Sequence, residues 1–476
     1  MSCSTSSCDS YVSTTNACKL CKPLGACLAF RGIEGAVPFL HGSQGCATYM
    51  RRFIISHFRE PMDIASSSLG EKHAIYGGEA NLKQGLKNVM GKFGPRMIGV
   101  ATTCLTETIG DDVPMIVRAF RREMSEEERA GEAPVLVNVS TPSYSGTHME
   151  GFHAAVEAVV KQVACGTEAS GMFHVEKDAA SGETRKLNRV NLLPGFVSPA
   201  DIRHLKEIFE DFQVPVIVLP DISETLDGPA LEDCPKIPDG GTSMEDIKDM
   251  GRSAATIEFG RTLLNGPTAG RYLNEHSGVP HHGVGIPIGL RETDAFFSVV
   301  EEIADRVTPE KHALERGRLV DAYVDAHKYV FGKRVVVYGE EDLVVGLTAF
   351  LTEIGIKPIL CASGGRSDRF KAAIEQVTAG LLDEPPIIRE GADFHDISEE
   401  AEALSPDILV GHSKGYSLAR KWKIPLIRVG FPIHDRFGGQ RMLHVGYRGA
   451  QNLLDLIVNA IIEKKQEDSP VGYGYM

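Results

Sequence analysis

No Gly-x-x-x-x-Gly-Lys-Ser/Thr run occurs anywhere in the 476 residues, so the chain is not expected to bind ATP through a P-loop. No Gly-x-Gly-x-x-Gly follows a strand either; Gly283-x-Gly285-x-x-x-Gly289 has the wrong spacing for a dinucleotide turn. A hydrolase of the serine-elbow type is not expected. No apolar run reaches the length of a membrane span, and Met1-Ser2-Cys3-Ser4 does not open a signal peptide. Positive charge is in deficit: 64 acidic residues stand against 50 basic ones, a net charge of −14. That argues against nucleic acid and against an anionic membrane surface as partners. No second Cys-x-x-Cys follows Cys18-x-x-Cys21, which leaves only half a zinc site. The ten cysteines are irregularly spaced over a long chain, so a secreted disulfide framework is not expected and a reduced, cytoplasmic compartment is.

What is present is an ordinary soluble-enzyme composition, 42% hydrophobic and 24% charged. At about 150 residues per domain, the length implies three domains. The first ~20 residues are rich in Ser and Thr and read as a tail laid over a surface. From Leu24 to about Cys165, short apolar strands (Met97–Ala101, Val135–Val139) alternate with helices (Glu79–Met90, Val113–Glu123, His148–Val163). That alternation predicts βαβ units and a mostly parallel sheet. The polar stretch Lys177–Thr184 breaks the pattern. A second block then opens with strand Arg189–Leu193, helix Pro199–Phe209 and strand Pro215–Leu219. One long helical stretch, roughly Thr293–Phe331, leads into a third block. That block runs from strand Lys333–Gly339 to a closing helix Gln451–Lys465. The domain boundaries expected are a tail over 1–23 and α/β domains over 24–175, 176–315 and 316–476.

The chemistry concentrates at three thiols. The run Ala36-Val37-Pro38-Phe39-Leu40 empties into His41-Gly42-Ser43-Gln44-Gly45-Cys46, where the glycines permit a tight bend. The same sequence of strand, polar turn and cysteine recurs at Ile98–Cys104, and Cys21 precedes a further turn, Pro23–Ala26. Three turn cysteines point to one iron–sulfur site. His41, His57 and His148 lie nearby and read as satisfied structural histidines. Asp321 and Asp325 sit four apart in a helical segment, so both carboxylates share a face. By themselves they read as a solvated acidic face beside Arg316, Arg318 and His327.

Longer motifs resemble one known family. They are Cys21-Lys22-Pro23-Leu24-Gly25-Ala26, His41–Cys46, His57-Phe58-Arg59-Glu60-Pro61, Tyr76-Gly77-Gly78 and Thr102–Asp112. The series continues through Thr141-Pro142-Ser143-Tyr144, Asn191–Phe196, Leu219-Pro220-Asp221, Gly317–Asp325 and Phe431–Gly438. In order and over nearly the whole chain, this resembles the β-type subunit of nitrogenase component 1. The resemblance implies an α/β fold of three doubly wound, Rossmann-like parallel-sheet domains. It implies a homologous α-type partner in an α2β2 heterotetramer, with a P-cluster-type [8Fe-7S] centre at their interface. Cys21, Cys46 and Cys104 would be this side's thiolates, and Ser143 a ligand on oxidation. Electrons would come from a transient, ATP-hydrolysing iron protein and pass to a cofactor on the partner.

The resemblance also implies a second site. There Asp321 and Asp325 meet Arg59 and Glu60 of another β-type copy around calcium or iron(II), a hard cation suited to all-oxygen ligands. Among family members, the three retained cysteines favour a reductase over an N-type assembly scaffold or a redox-inert structural partner. The short run before Cys21 favours a nitrogenase-like reductase, such as a methylthio-alkane reductase, over nitrogenase itself.

Overall fold

In the computed structural model, residues 16–124, 133–165, 186–233, 235–262 and 266–472 are described. They build three wholly parallel sheets. The first has strands β1 (Ala36–His41), β2 (Ala65–Ser66), β3 (Met97–Thr102) and β4 (Val135–Val139), in the order β2-β1-β3-β4. The second has β5 (Leu187–Leu193), β6 (Val216–Val218), β7 (Ser253–Phe259) and β8 (His281–Val284), in the order β6-β5-β7-β8. The third has β9 (Arg334–Gly339), β10 (Lys357–Ser363), β11 (Ile387–Arg389), β12 (Ile408–Gly411) and β13 (Leu426–Arg428), in the order β11-β10-β9-β12-β13.

Burial explains why the strand sequences do not alternate. β1 and β3 are buried at every position, as expected where helices cover both faces of a parallel sheet. Val37 and Phe39 enter one core, and Ala36 and Leu40 enter the other. The third sheet divides likewise: Val335 and Val337 face one core, Val336 and Tyr338 the opposite one. The sheets are therefore doubly wound, and one large core runs between all three.

Helix Val113–Glu123 shows how local sequence sets the elements. Asp112 caps it by accepting from the Met115 amide at 2.9 Å, and Pro114 occupies its first turn. Val113, Ile116, Val117 and Phe120 then bury one stripe.

Three expectations need correction. The long stretch Thr293–Phe331 is two helices, Leu290–Ala304 and Glu310–Val330. Asp305 ends the first in a left-handed conformation (φ 49°), and Pro309, which has no N–H to continue a helix, starts the second. The stretch His148–Val163 is α-helical only to Val159 and then widens into a π turn, Val160–Ala164. Cys21 is followed directly by a helix, Lys22–Arg31, and not by a turn feeding an apolar segment. Nine of this helix's ten residues are buried, so it carries no amphipathic period by which to recognise it.

That helix crosses His148–Val159 at two glycines. A Cβ on Gly25 would stand 1.6 Å from the His148 carbonyl oxygen, and one on Gly151 would stand 1.8 Å from that of Lys22. The backbones touch. No helix among the described residues is long and apolar enough to cross a membrane.

Candidate metal centre

Sheet topology places two of the thiols. In the first sheet the chain runs from β1 outward to β2, then returns to β3 on the other side of β1. The carboxyl ends of β1 and β3 thus flank a topological switch point, where open α/β sheets form their crevice. Cys46 lies in the first turn of helix Gln44–Phe58, just past β1, and Cys104 opens helix Cys104–Ile109, just past β3.

Hydrogen bonds then tie the turns together. The Thr103 amide and hydroxyl both donate to the His41 carbonyl at 3.1 Å, and Thr106 Oγ1 donates to it at 3.0 Å. A Cβ on Gly42 would stand 2.2 Å from Thr103 Oγ1, so only glycine lets these turns meet. The Thr141 amide donates to Thr102 Oγ1 at 2.8 Å, joining the β4 turn to the β3 turn. Ser143 follows, and its amide donates to Cys104 Sγ at 3.2 Å. Ser43 Oγ lies 3.5 Å from Cys46 Sγ.

Cys21 arrives from elsewhere. The strap 16–20 passes beneath the third sheet's domain: the Cys18 amide donates to the Ala392 carbonyl at 3.3 Å. Lys414 Nζ donates to the carbonyls of Ala17 (2.8 Å) and Lys19 (3.2 Å). His148 holds the next residue, because its Nδ1 accepts from the Leu20 amide at 3.3 Å. That bond leaves the ring proton on Nε2, which donates to Glu340 Oε1 at 2.7 Å. Burial alone would raise the Glu340 carboxyl, but the hydrogen bond from His148, the neighbouring His412 and its own backbone amide together hold it below its usual range. Cys21 then caps helix Lys22–Arg31, and Lys22 Nζ donates to Ser145 Oγ at 3.1 Å. Cys21 thereby joins the turns that carry Cys104 and Ser143. Its thiol also neighbours Tyr49, whose hydroxyl is raised first by burial and then by Cys21.

The cysteines fall into two kinds. Cys18, Cys27 and Cys361 are buried, and burial pushes Cys18 and Cys361 up to about 12. Cys21, Cys46 and Cys104 are half-buried, with a face open to a partner or ligand; Cys165 is half-buried too, but its thiol lies 3.5 Å from Ser277 Oγ, away from these turns, and burial raises it. Cys18 is buried with its thiol 3.7 Å from His412 Nε2, whereas Cys21 is half-buried at the cysteine turns. Among the described residues, no three His, Cys, Asp or Glu side chains gather as they would on one metal ion.

The histidines are structural, as expected. His41 sits between Ser67 (2.9 Å) and Asp111 (3.0 Å), and His57 Nδ1 accepts from the Ile433 amide at 2.8 Å. One sequence feature was overlooked. Gly411-His412-Ser413-Lys414-Gly415 does fit a serine elbow and follows strand β12. The chemistry is lacking, however: Ser413 Oγ bonds Asp435 and accepts from the His434 amide, and no histidine ring among the described residues reaches it.

Arg59 and Glu60 end helix Gln44–Phe58, with Arg59 in the left-handed region (φ 63°). Glu60 is half-buried, its carboxyl raised by burial and by the charge of Asp227. Asp321 and Asp325 are exposed on helix Glu310–Val330. The fold does not gather these four residues into one cluster within the chain.

A sequence model described as nitrogenase component 1 type oxidoreductase matches residues 21–462, from the first of these cysteines to the C-terminal helix. The chain belongs to the nitrogenase component 1 family. It is 34% identical to the nitrogenase molybdenum-iron protein beta chain of Clostridium pasteurianum, covering 95% of this chain and 94% of that one. To the vanadium-iron protein beta chain of Trichormus variabilis it is 33% identical, covering 93% and 92%. A solved chain of nitrogenase Cp1 at pH 6.5 superposes with a TM-score of 0.89 at 33% identity, covering 98% of each. This is a β-type component 1 subunit, part of an oxidoreductase complex.

The residues present fit an iron–sulfur group. In this component 1 chain, three half-exposed thiols stand at the crevice of one sheet, with a backbone amide already aimed at one sulfur. Among the supporting residues, Lys414, Glu340 and His148 were not read as a unit in the sequence. They lie up to 397 residues from the strap they hold, and no local pattern joins them.

Proposed function

We propose that this subunit supplies half the ligands of a P-cluster-type [8Fe-7S] centre shared with a homologous α-type partner in an α2β2 complex. The observation that carries the reading is the set of three half-exposed thiols stitched together at one sheet's switch point. Exposed Tyr49, Ile75, Tyr76 and Tyr144, on the helices beside the cysteine turns, give a partner apolar surface to cover. Cys21, Cys46 and Cys104 would hold the cluster, and Ser143 would stand over it. When bound, the cluster supplies one-electron relay between an ATP-hydrolysing iron protein and the partner's cofactor. The protein's part is positional: the Thr103–His41 and Thr141–Thr102 bonds hold the turns, and the Ser143 amide donates to the Cys104 sulfur. Such donors set the potential of a thiolate-bound centre. The substrate, of dinitrogen or methylthio-alkane type, would be bound on the partner. The test is co-purification under anaerobic conditions with iron analysis and EPR. An α-type chain with iron–sulfur signals is expected; an iron-free chain that purifies without a partner would refute the reading.

Two smaller predictions follow from placement. Ser143→Ala keeps the amide that bonds Cys104 and removes only the hydroxyl. It should leave the reduced EPR spectrum intact and change the oxidised one; identical oxidised spectra would remove Ser143 from the ligand set. Asp321 and Asp325 of one copy, with Arg59 and Glu60 of another, would hold calcium or iron(II) between β-type subunits. Asp321→Asn combined with Asp325→Asn should weaken tetramer association in analytical ultracentrifugation and spare the cluster iron. A double variant that stays tetrameric at high dilution would return these aspartates to an ordinary solvated face.

A further inference from the structure

The third sheet has a switch point of its own. The chain runs from β9 outward to β10 and β11, then returns to β12 on the other side of β9. The carboxyl ends of β9 and β12 therefore flank a crevice of the kind that takes a ligand in such folds. Glu340 follows β9 directly, and His412, Ser413 and Lys414 follow β12.

This crevice is filled by the protein's own strap. The Cys18 thiol is buried 3.7 Å from His412 Nε2 and shares a core with Tyr338 and Ala362. A Cβ on Gly364 would stand 2.5 Å from the Cys18 carbonyl oxygen, so the strap lies directly on the backbone after β10. Lys414 reaches over it. Its Nζ donates to the carbonyls of residues 17 and 19, and the second of these is two residues short of Cys21.

The charge on Lys414 is not cancelled where it sits. The side chain is half-buried and makes no ion pair among the described residues. Two neutral carbonyls orient the ammonium and leave its charge whole. Burial lowers its pKa, and charge on Cys18, Cys21 and Glu340 acts in the opposite sense, so the ammonium is within electrostatic reach of the Cys21 sulfur. Glu340, the acid among these, is bonded to His148. Lys22 is closer to Cys21 in sequence, but it meets Ser145 at an exposed position where solvent screens it. A charge held in the interior acts over the same distance more strongly.

We propose that Lys414 is a positioning residue acting by charge: from the third domain, its ammonium over the strap raises the reduction potential of the cluster. The inference rests on the cluster proposed at Cys21, Cys46 and Cys104, and it adds a residue outside their turns. A positive charge favours the reduced centre, which carries one more negative charge than the oxidised one.

The test is a redox titration of the purified complex with dithionite and mediators, followed by EPR, with iron counted in each variant. Lys414→Gln keeps an amide to donate to the strap and removes the charge. At a fixed potential its ratio of reduced to oxidised cluster should drop about tenfold, a fall in midpoint of about 59 mV for one electron. Lys414→Arg keeps the charge and should stay near the wild-type midpoint. Glu340→Gln keeps an acceptor for His148 and removes the opposing charge, so it should move the midpoint upward. It also decides the matter where Lys414→Gln sheds its iron. Opposite shifts cannot come from a loosened strap, which would move both variants the same way. An unchanged midpoint in Lys414→Gln at full iron content, or equal shifts in the Gln and Arg variants, overturns this inference and leaves the cluster standing. So do shifts of the same sign in Lys414→Gln and Glu340→Gln. A wild-type complex without iron overturns the cluster reading itself, and this inference with it.

Discussion

Cys104→Ala is expected to take electron transfer through the complex to background and to lower its bound iron. Loss of outer partners of a metal ligand alone costs roughly 10–100-fold. Removing a ligand should therefore cost on the order of 100-fold or more. The geometry adds to the loss: the Ser143 amide, now 3.2 Å from a sulfur, would face a methyl group and be left without an acceptor. Cys27→Ala is the control. That thiol is buried in helix Lys22–Arg31, where burial pushes its pKa far up, so it should lose only packing and keep the iron. Iron per complex, EPR and turnover measured on both variants decide the matter. Full iron and activity in Cys104→Ala would show that these turns do not hold a cluster.

Gly25→Ala is expected to be the most damaging small substitution in the protein. The added Cβ would stand 1.6 Å from the His148 carbonyl oxygen, and the obstacle is backbone. Neither helix can relieve it by changing a rotamer, so the pair must separate. Overpacking costs about 1–3 kcal/mol where side chains can shift, and here the cost should exceed about 3 kcal/mol. The separation would also spoil the site. His148 holds Leu20, and the helix that Cys21 caps is one of the two forced apart. Urea unfolding should show the lost stability, and iron content should fall with it. A Gly25→Ala protein of unchanged midpoint would mean the two helices can slide.

The parts legible in the sequence were those with a local cause. Strands β1, β3 and β4 are short apolar runs bounded by turn residues, and helix Val113–Glu123 carries its own cap and stripe. The thiols could be read for the same reason, since Cys46 and Cys104 each follow a strand and a polar turn. Helix Lys22–Arg31 could not be, because burial on all sides erases the period that marks a helix. The break at Asp305–Pro309 was passed over, although Pro309 was a signal in plain view. The serine-elbow pattern at Gly411–Gly415 shows the opposite failure: a motif present in the sequence whose chemistry the fold does not assemble. The network around the strap was beyond reach, since it depends on which distant residues the three domains bring together.

That strap bears on the order in which the subunit can be made. Residues 17 and 19 are held by Lys414, and Leu20 by a histidine whose own orientation depends on Glu340. All the fastening groups come later in the chain than the thiols they help to place, and Lys414 comes some four hundred residues later. A nascent chain emerging from the ribosome would thus expose Cys21, Cys46 and Cys104 long before Cys21 could be set in position. Metal supplied at that stage would meet an unfinished cradle. The proposed cluster would then be loaded only after the third domain, with Lys414, has been synthesised and docked.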